Sequence, residues 1–151
     1  MIILPIKSRQ QILKEREKPE FFCSSGCLML FKNKTPEKNL GPTSKYRSTD
    51  FVRTCIVVSK KIHLKAVVRN KLRRRIKEAF RNIDKTLLEN QYDYQIIAKH
   101  TIFYADFDTI KNDLENCLKG NGVRTLPDKK QKSKTGKKLN LTKTSKILKS
   151  K

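Results

Sequence analysis

The chain has 151 residues, with 36 Lys and Arg against 14 Asp and Glu, a net charge of +22 and a pI of about 10.1. That length allows one domain with a tail, and the charge implies a polyanionic partner. No run approaches the roughly 18 apolar residues that a spanning helix needs, and Met1 to Leu4 is too short for a signal h-region, so a reducing cytoplasm is expected.

Pro5 to about Lys18 reads as a short polar helix whose few apolar residues, Ile6, Ile12 and Leu13, predict loose docking. Phe21 and Phe22 follow Pro19 and fit either a core or a ligand-facing role. Cys27 to Phe31 is a continuous apolar run, predicted as a strand buried on both faces. Lys32 to Thr49, with Pro36 and Gly41-Pro42, reads as a long polar turn. Phe51 to Ser59 is a second strand. It sets Val52, Thr54, Ile56 and Val58 on one face and Phe51, Arg53, Cys55, Val57 and Ser59 on the other. These two strands are expected to pair antiparallel.

Ala66 to Arg81 holds seven Lys or Arg residues and one acid, Glu78. Val68, Leu72, Ile76, Ala79, Phe80 and Ile83 fall on one side of a 3.6-residue helix, while Asn70, Arg73, Arg74, Lys77 and Arg81 share an opposite arc. A solvated surface helix usually mixes both signs of charge. This one hardly does, and like charges at i,i+4 cost a few tenths of a kcal/mol per pair, so phosphates are the expected occupants. The same face on a membrane would require exposed bulky apolar groups, whereas this apolar stripe reads as core.

Asp84 to Gln91 is a polar extension and turn. Tyr92 to Lys99 is a third strand with Tyr92, Tyr94, Ile96 and Ala98 on one face. Asp106 is a good N-cap for a last helix carrying Phe107, Ile110, Leu114, Cys117 and Leu118 down to a stop at Gly120. Residues 124–151 carry eleven Lys or Arg against one acid. They have no apolar period, so a disordered basic tail is expected over 121–151.

The four cysteines, Cys23, Cys27, Cys55 and Cys117, lack the paired spacing of a zinc site, and Cys55 and Cys117 read as small buried hydrophobes. His63 and His100 have no matched nucleophile, and the carboxylates form no evident metal cluster. No protein catalytic residue and no protein metal ligand is therefore expected.

The stretch V-S-K-K-I at Val58–Ile62, followed by A-V-V-R-N-K-L-R-R-R-I-K-E-A-F-R at Ala66–Arg81, resembles the signature of the protein component of bacterial ribonuclease P. The likeness extends over roughly Pro5 to Lys119. It implies an α+β domain over 1–120 in the order αβββαβα. Helices would pack on a mostly antiparallel four-stranded sheet, with a left-handed crossover through the basic helix where parallel βαβ units are otherwise right-handed. Three strands are located here, and the fourth is sought inside Phe51 to Ile62 or in the long turn.

The resemblance further implies an endoribonuclease whose RNA subunit, with Mg2+, removes the 5′ leader of precursor tRNA. The partners would be that RNA and precursor tRNA, without membrane or small-molecule substrate. RNA contacts are carried onto Lys60, Lys61, Arg69, Asn70, Arg73, Arg74 and Lys77, with Lys65, Lys71 and Arg81 added from the charge pattern. A leader cleft is carried onto Ile12, Arg16, Leu30, Arg53 and Val57. Ile12 and Arg16 stand where the family has cleft aromatics. His63-Leu64-Lys65 replaces a turn that usually contains Gly. A ribosomal or other structural RNA-binding protein is the alternative, and a protein-only nuclease would need an acidic metal site.

Overall fold

A computed structural model describes residues 1–37 and 50–122. Most of the predicted long turn and nearly all of the predicted tail lie outside the described residues. The elements are β1 (Ile2–Pro5), α1 (Arg9–Glu17), β2 (Phe21–Ser24), β3 (Leu28–Lys34), β4 (Phe51–Val57), α2 (Ala66–Arg81), β5 (Tyr92–Ala98) and α3 (Phe107–Leu118), with 3-10 turns at Lys85–Leu87 and His100–Tyr104. From α1 onward the order is αβββαβα, as the resemblance implied. The missing fourth strand is β2, within the segment first read around two phenylalanines. β1 is a fifth, before α1.

The sheet order is β1-β4-β5-β3-β2. β2–β3 and β3–β5 pair antiparallel, and β4–β5 and β1–β4 pair parallel. The expectation that β3 and β4 pair with each other fails, because β5 lies between them. The crossover through α2 brings β5 alongside β4 as a parallel neighbour, and β5 thereby separates β4 from β3.

Strand alternation decides which helix each residue meets. Val52, Ile56 and Val58 of the β4 segment and Tyr94, Ile96 and Ala98 of β5 join the main core. There they pack with Leu72, Ile76, Ala79 and Phe80 of α2 and Ile110, Leu114 and Cys117 of α3. Each such aliphatic or aromatic side chain contributes about 1.5–3 kcal/mol on burial. Tyr94 sits at the centre, its ring 6.0 Å from that of Phe80. Its hydroxyl accepts the Glu89 amide at 2.8 Å, and burial pushes the phenol up to about 12.

α1 packs on the other face, and by polar contacts. Gln11 Nε2 donates to Asp93 Oδ2 at 2.9 Å, Arg16 Nε to Gln95 Oε1 at 3.0 Å, Gln95 Nε2 to the Ile12 carbonyl at 3.2 Å and Asn33 Nδ2 to the Glu15 carbonyl at 3.0 Å. The sparse apolar content of this helix predicted loose docking. Instead the fully buried Asp93 and Gln95 hold it by hydrogen bonds. Burial pushes the Glu15 carboxyl up, while hydrogen bonds from Gln11 and Gln95 draw it back.

α3 begins and ends where the sequence predicted. The Asp106 carboxylate accepts the Thr109 amide at 2.8 Å. At the other end Gly120 has φ 76°, and the amides of Gly120 and Asn121 reach the carbonyls of Cys117 (3.1 Å) and Asn116 (2.9 Å). That is a Schellman stop, whose positive φ penalises a β-carbon. Gly120→Ala is expected to cost about 1 kcal/mol in a denaturant melt. A loss indistinguishable from zero would mean the stop is held by other contacts.

Candidate nucleic-acid interface

α2 buries Leu72, Ile76, Ala79 and Phe80, leaving Asn70, Lys71, Arg73, Arg74, Lys77 and Arg81 exposed. Spacing by four residues puts Arg73, Lys77 and Arg81 in one row. The row forms one wall of a groove of about 320 Å³ whose other lining includes Ile3, Pro5, Thr54 and Ile56. Arg73 Nη1 donates to Asn70 Oδ1 at 2.7 Å, which orients the guanidinium on the helix surface. Such a fork matches two phosphate oxygens.

Lys60, Lys61 and Lys65 are exposed on the turn that leads into α2. Lys65 is the N-cap residue and supplies no side-chain cap, and the first turn contains no acid. The open amides and the positive end of the helix dipole thus add to the lysine charges.

Arg69 has a role that charge patterning alone does not reveal. Its Nη1 donates to the His63 carbonyl at 2.9 Å and to the Leu64 carbonyl. The Lys65 amide also donates to His63 Nδ1 at 3.1 Å. Where a glycine is usual, this turn is braced by a guanidinium from the helix it introduces.

Arg53, Val57 and the helix that carries Ile12 and Arg16 share the α1 face of the sheet. Strand pairing lines up three cross-sheet rows there: Asn33, Asp93 and Arg53; then Phe22, Phe31, Gln95 and Cys55; then Ser24, Met29, Ile97 and Val57. α1 hydrogen-bonds to the first two rows at Asp93, Asn33 and Gln95. The third row, with Met29, Ile97 and Val57, is half-buried. Arg16 and Arg73 flank Cys55. Burial pushes its thiol up, and the two arginines draw it back down. Burial also lowers the Arg16 guanidinium.

Of the five predicted cleft residues, Ile12 and Arg16 meet Gln95 on this face, and Val57 lies in the neighbouring row. Leu30 does not. It is fully buried in the main core, because the register of β3 turns it toward the α2–α3 side. Arg53 is also removed, since both its Nε (2.7 Å) and its Nη2 are taken by the buried Asp93 carboxylate. Cys55, predicted to be buried, is half-buried on the cleft face instead.

Met29, Cys55, Gln95 and Ile97 were not singled out from the sequence as cleft residues. The alternation of β5 pointed to one hidden signal: Asp93 and Gln95 had to face something other than the apolar core. Phe22 and Phe31 stack with centroids 4.8 Å apart but are buried, so they offer no open ring. Among the described residues, no three His, Cys, Asp or Glu side chains are grouped to hold a metal ion.

A small α+β domain, with a cationic helix walling a groove beside β1 and β4, defines a class of compact nucleic-acid-binding protein. The chain belongs to the ribonuclease P protein family, whose model matches residues 5–121. It is 28% identical over 134 residues to the ribonuclease P protein component of Brucella melitensis biotype 1, covering 83% of this chain and 92% of that one. Its likeness to the component from Caldanaerobacter subterraneus subsp. tengcongensis is 44% over 62 residues, 41% of this chain and 52% of that protein. The solved ribonuclease P protein of Thermotoga maritima shares the fold, with a TM-score of 0.59 at 24% identity, over 77% of this chain and 96% of that one.

Proposed function

We propose that the α2 face binds the RNA subunit of ribonuclease P and that the cleft beside α1 holds the 5′ leader of precursor tRNA. As a member of the family, the chain is the non-catalytic protein subunit of an endoribonuclease whose catalyst is RNA. The observation that supports the division of labour is the placement of Arg73. It stands on the cationic face and also beside Cys55 in the cleft, so one helix borders both sites.

On the RNA side, Lys60, Lys61, Lys65, Arg69, Asn70, Lys71, Arg73, Arg74, Lys77 and Arg81 supply charge and hydrogen-bond donors. Each phosphate neutralised releases counterions, so assembly weakens steeply with salt. On the leader side, Ile12, Val57, Met29 and Ile97 offer apolar surface, and Arg16 supplies a planar cation where the family has an aromatic ring. A guanidinium can stack on a base as well as meet a phosphate. Screening the leader's charge lowers the Mg2+ needed by the RNA subunit, which holds the metal in this reading. The site of action is the cytoplasm. Among the described residues no helix is long and apolar enough to cross a membrane.

The test is cleavage of a precursor tRNA at low Mg2+ by the chain mixed with its cognate ribonuclease P RNA. Accurate 5′ cleavage is expected only in the mixture. RNA binding without stimulation would favour a structural RNA-binding role, and cleavage by the protein alone would overturn the assignment of chemistry to RNA.

A further inference from the structure

Seven large hydrophobic side chains are exposed among the described residues, and four of them, Leu64 (85%), Val67 (80%), Phe103 (38%) and Tyr104 (92%), belong to two segments that meet. The segments are the turn into α2 with the first turn of that helix, and the 3-10 turn His100–Tyr104. The His63 and Phe103 rings lie 5.6 Å apart, and Arg75 Nη1 donates to the Ala105 carbonyl at 3.5 Å. Val67, Lys71 and Arg75 share a helical row, so the flank of α2 that reaches the 3-10 turn is opposite in sense to the Arg73–Lys77–Arg81 row.

Packing accounts for one side of the Phe103 ring, which rests on His63, but not for its open side or for Tyr104. The turn is anchored by Ile102, fully buried, and Ala105, 8% exposed. Phe103 and Tyr104 point outward between these anchors, and a bare tyrosine at 92% exposure contributes nothing to the core. The turn and helix that the rings reach are cationic, with Lys60, Lys61, Lys65 and Lys71 all exposed and no acid from residue 60 to 77. The nearest acid on the 3-10 side, Asp106, is occupied in capping α3.

We infer that Tyr104 and Phe103 form a stacking platform for unpaired bases of the RNA subunit, continuous with the cationic helix. This deepens the proposed function and rests on it. Exposed rings bordered by lysines are the arrangement that single-stranded nucleic acid uses, with bases on the π-faces and the backbone on the cations. A protein partner with an apolar surface would have to desolvate the four lysines without compensation, whereas phosphates compensate them.

The chain contains no Trp, so Tyr104→Trp introduces a single reporter. In the full chain, addition of ribonuclease P RNA is expected to quench the emission of this variant. Phe103→Ala with Tyr104→Ala is expected to weaken RNA binding about tenfold with the salt slope unchanged, because stacking is lost and phosphate contacts are kept. Wild-type affinity in the double variant, or emission that RNA leaves unquenched, would overturn the platform. So would affinity lost together with a flattened slope, which would mean displaced lysines, or a blue shift seen only with phosphatidylglycerol vesicles. If the wild type itself fails to bind the RNA, the underlying reading falls as well, and the wild-type control separates the two failures.

Discussion

Asp93→Ala is expected to lower stability by about 3–5 kcal/mol, the cost of leaving a buried ion-pair partner uncompensated. For a domain of this size that is a fall of about 10 °C or more in Tm. Asp93 is fully buried, and its carboxylate accepts Arg53 Nε at 2.7 Å, Arg53 Nη2, the Thr35 hydroxyl at 2.8 Å and Gln11 Nε2 at 2.9 Å. Removing it strands a guanidinium whose side chain is 12% exposed and releases one of the bonds that hold α1 to the sheet. The loss should therefore exceed that of Arg53→Ala, which leaves Asp93 with two donors. A double-mutant cycle over Arg53 and Asp93 measures the coupling directly. Additive effects of the two changes, or a Tm within a degree or two of the wild type, would show that the pair is not a linchpin of the α1 face.

The second large effect concerns binding and should leave stability nearly untouched. Arg73→Ala with Arg74→Ala removes two exposed cations from α2. If each neutralises a phosphate, the slope of log K against log salt becomes shallower by about 2, since each contact contributes about 0.9. Affinity at low salt should fall by about tenfold to a hundredfold, in line with the loss of two charge-assisted hydrogen bonds at an exposed surface. The fold should hold or gain slightly, because like-charge neighbours are relieved at i,i+4. Filter binding across a salt series with ribonuclease P RNA reads both quantities. An unchanged slope would count against a phosphate-binding face, whatever the affinity did.

These two predictions separate what the residues could show from what they could not. The α2 stripe was legible because both its signals are local: the 3.6-residue apolar period and the nearly single-signed opposite arc. The caps of α3 at Asp106 and Gly120 were legible for the same reason. β2 and β1 were missed because four-residue strands carry too little periodicity to stand out, and each is defined by the neighbour it pairs with. Arg53 illustrates the limit within the site. On its strand it sits on the same face as Val57, and the resemblance carried the cleft onto both. Only the register that sets Asp93 beside it shows that its charge is already spent.

By itself, the sequence determined a basic helix with one buried face, a short α+β run of elements, the family motif and the absence of a recognisable catalytic constellation. All of these depend on residues within a few turns of one another. The tertiary structure alone decided the sheet order, the polar seat of α1, the burial of Leu30, the bracing of the His63 turn by Arg69 and the meeting of His63 with Phe103. The physical reason is that each of these is a pairing between segments distant in the chain. Burial and hydrogen bonding at such contacts depend on register and topology, which no local pattern encodes.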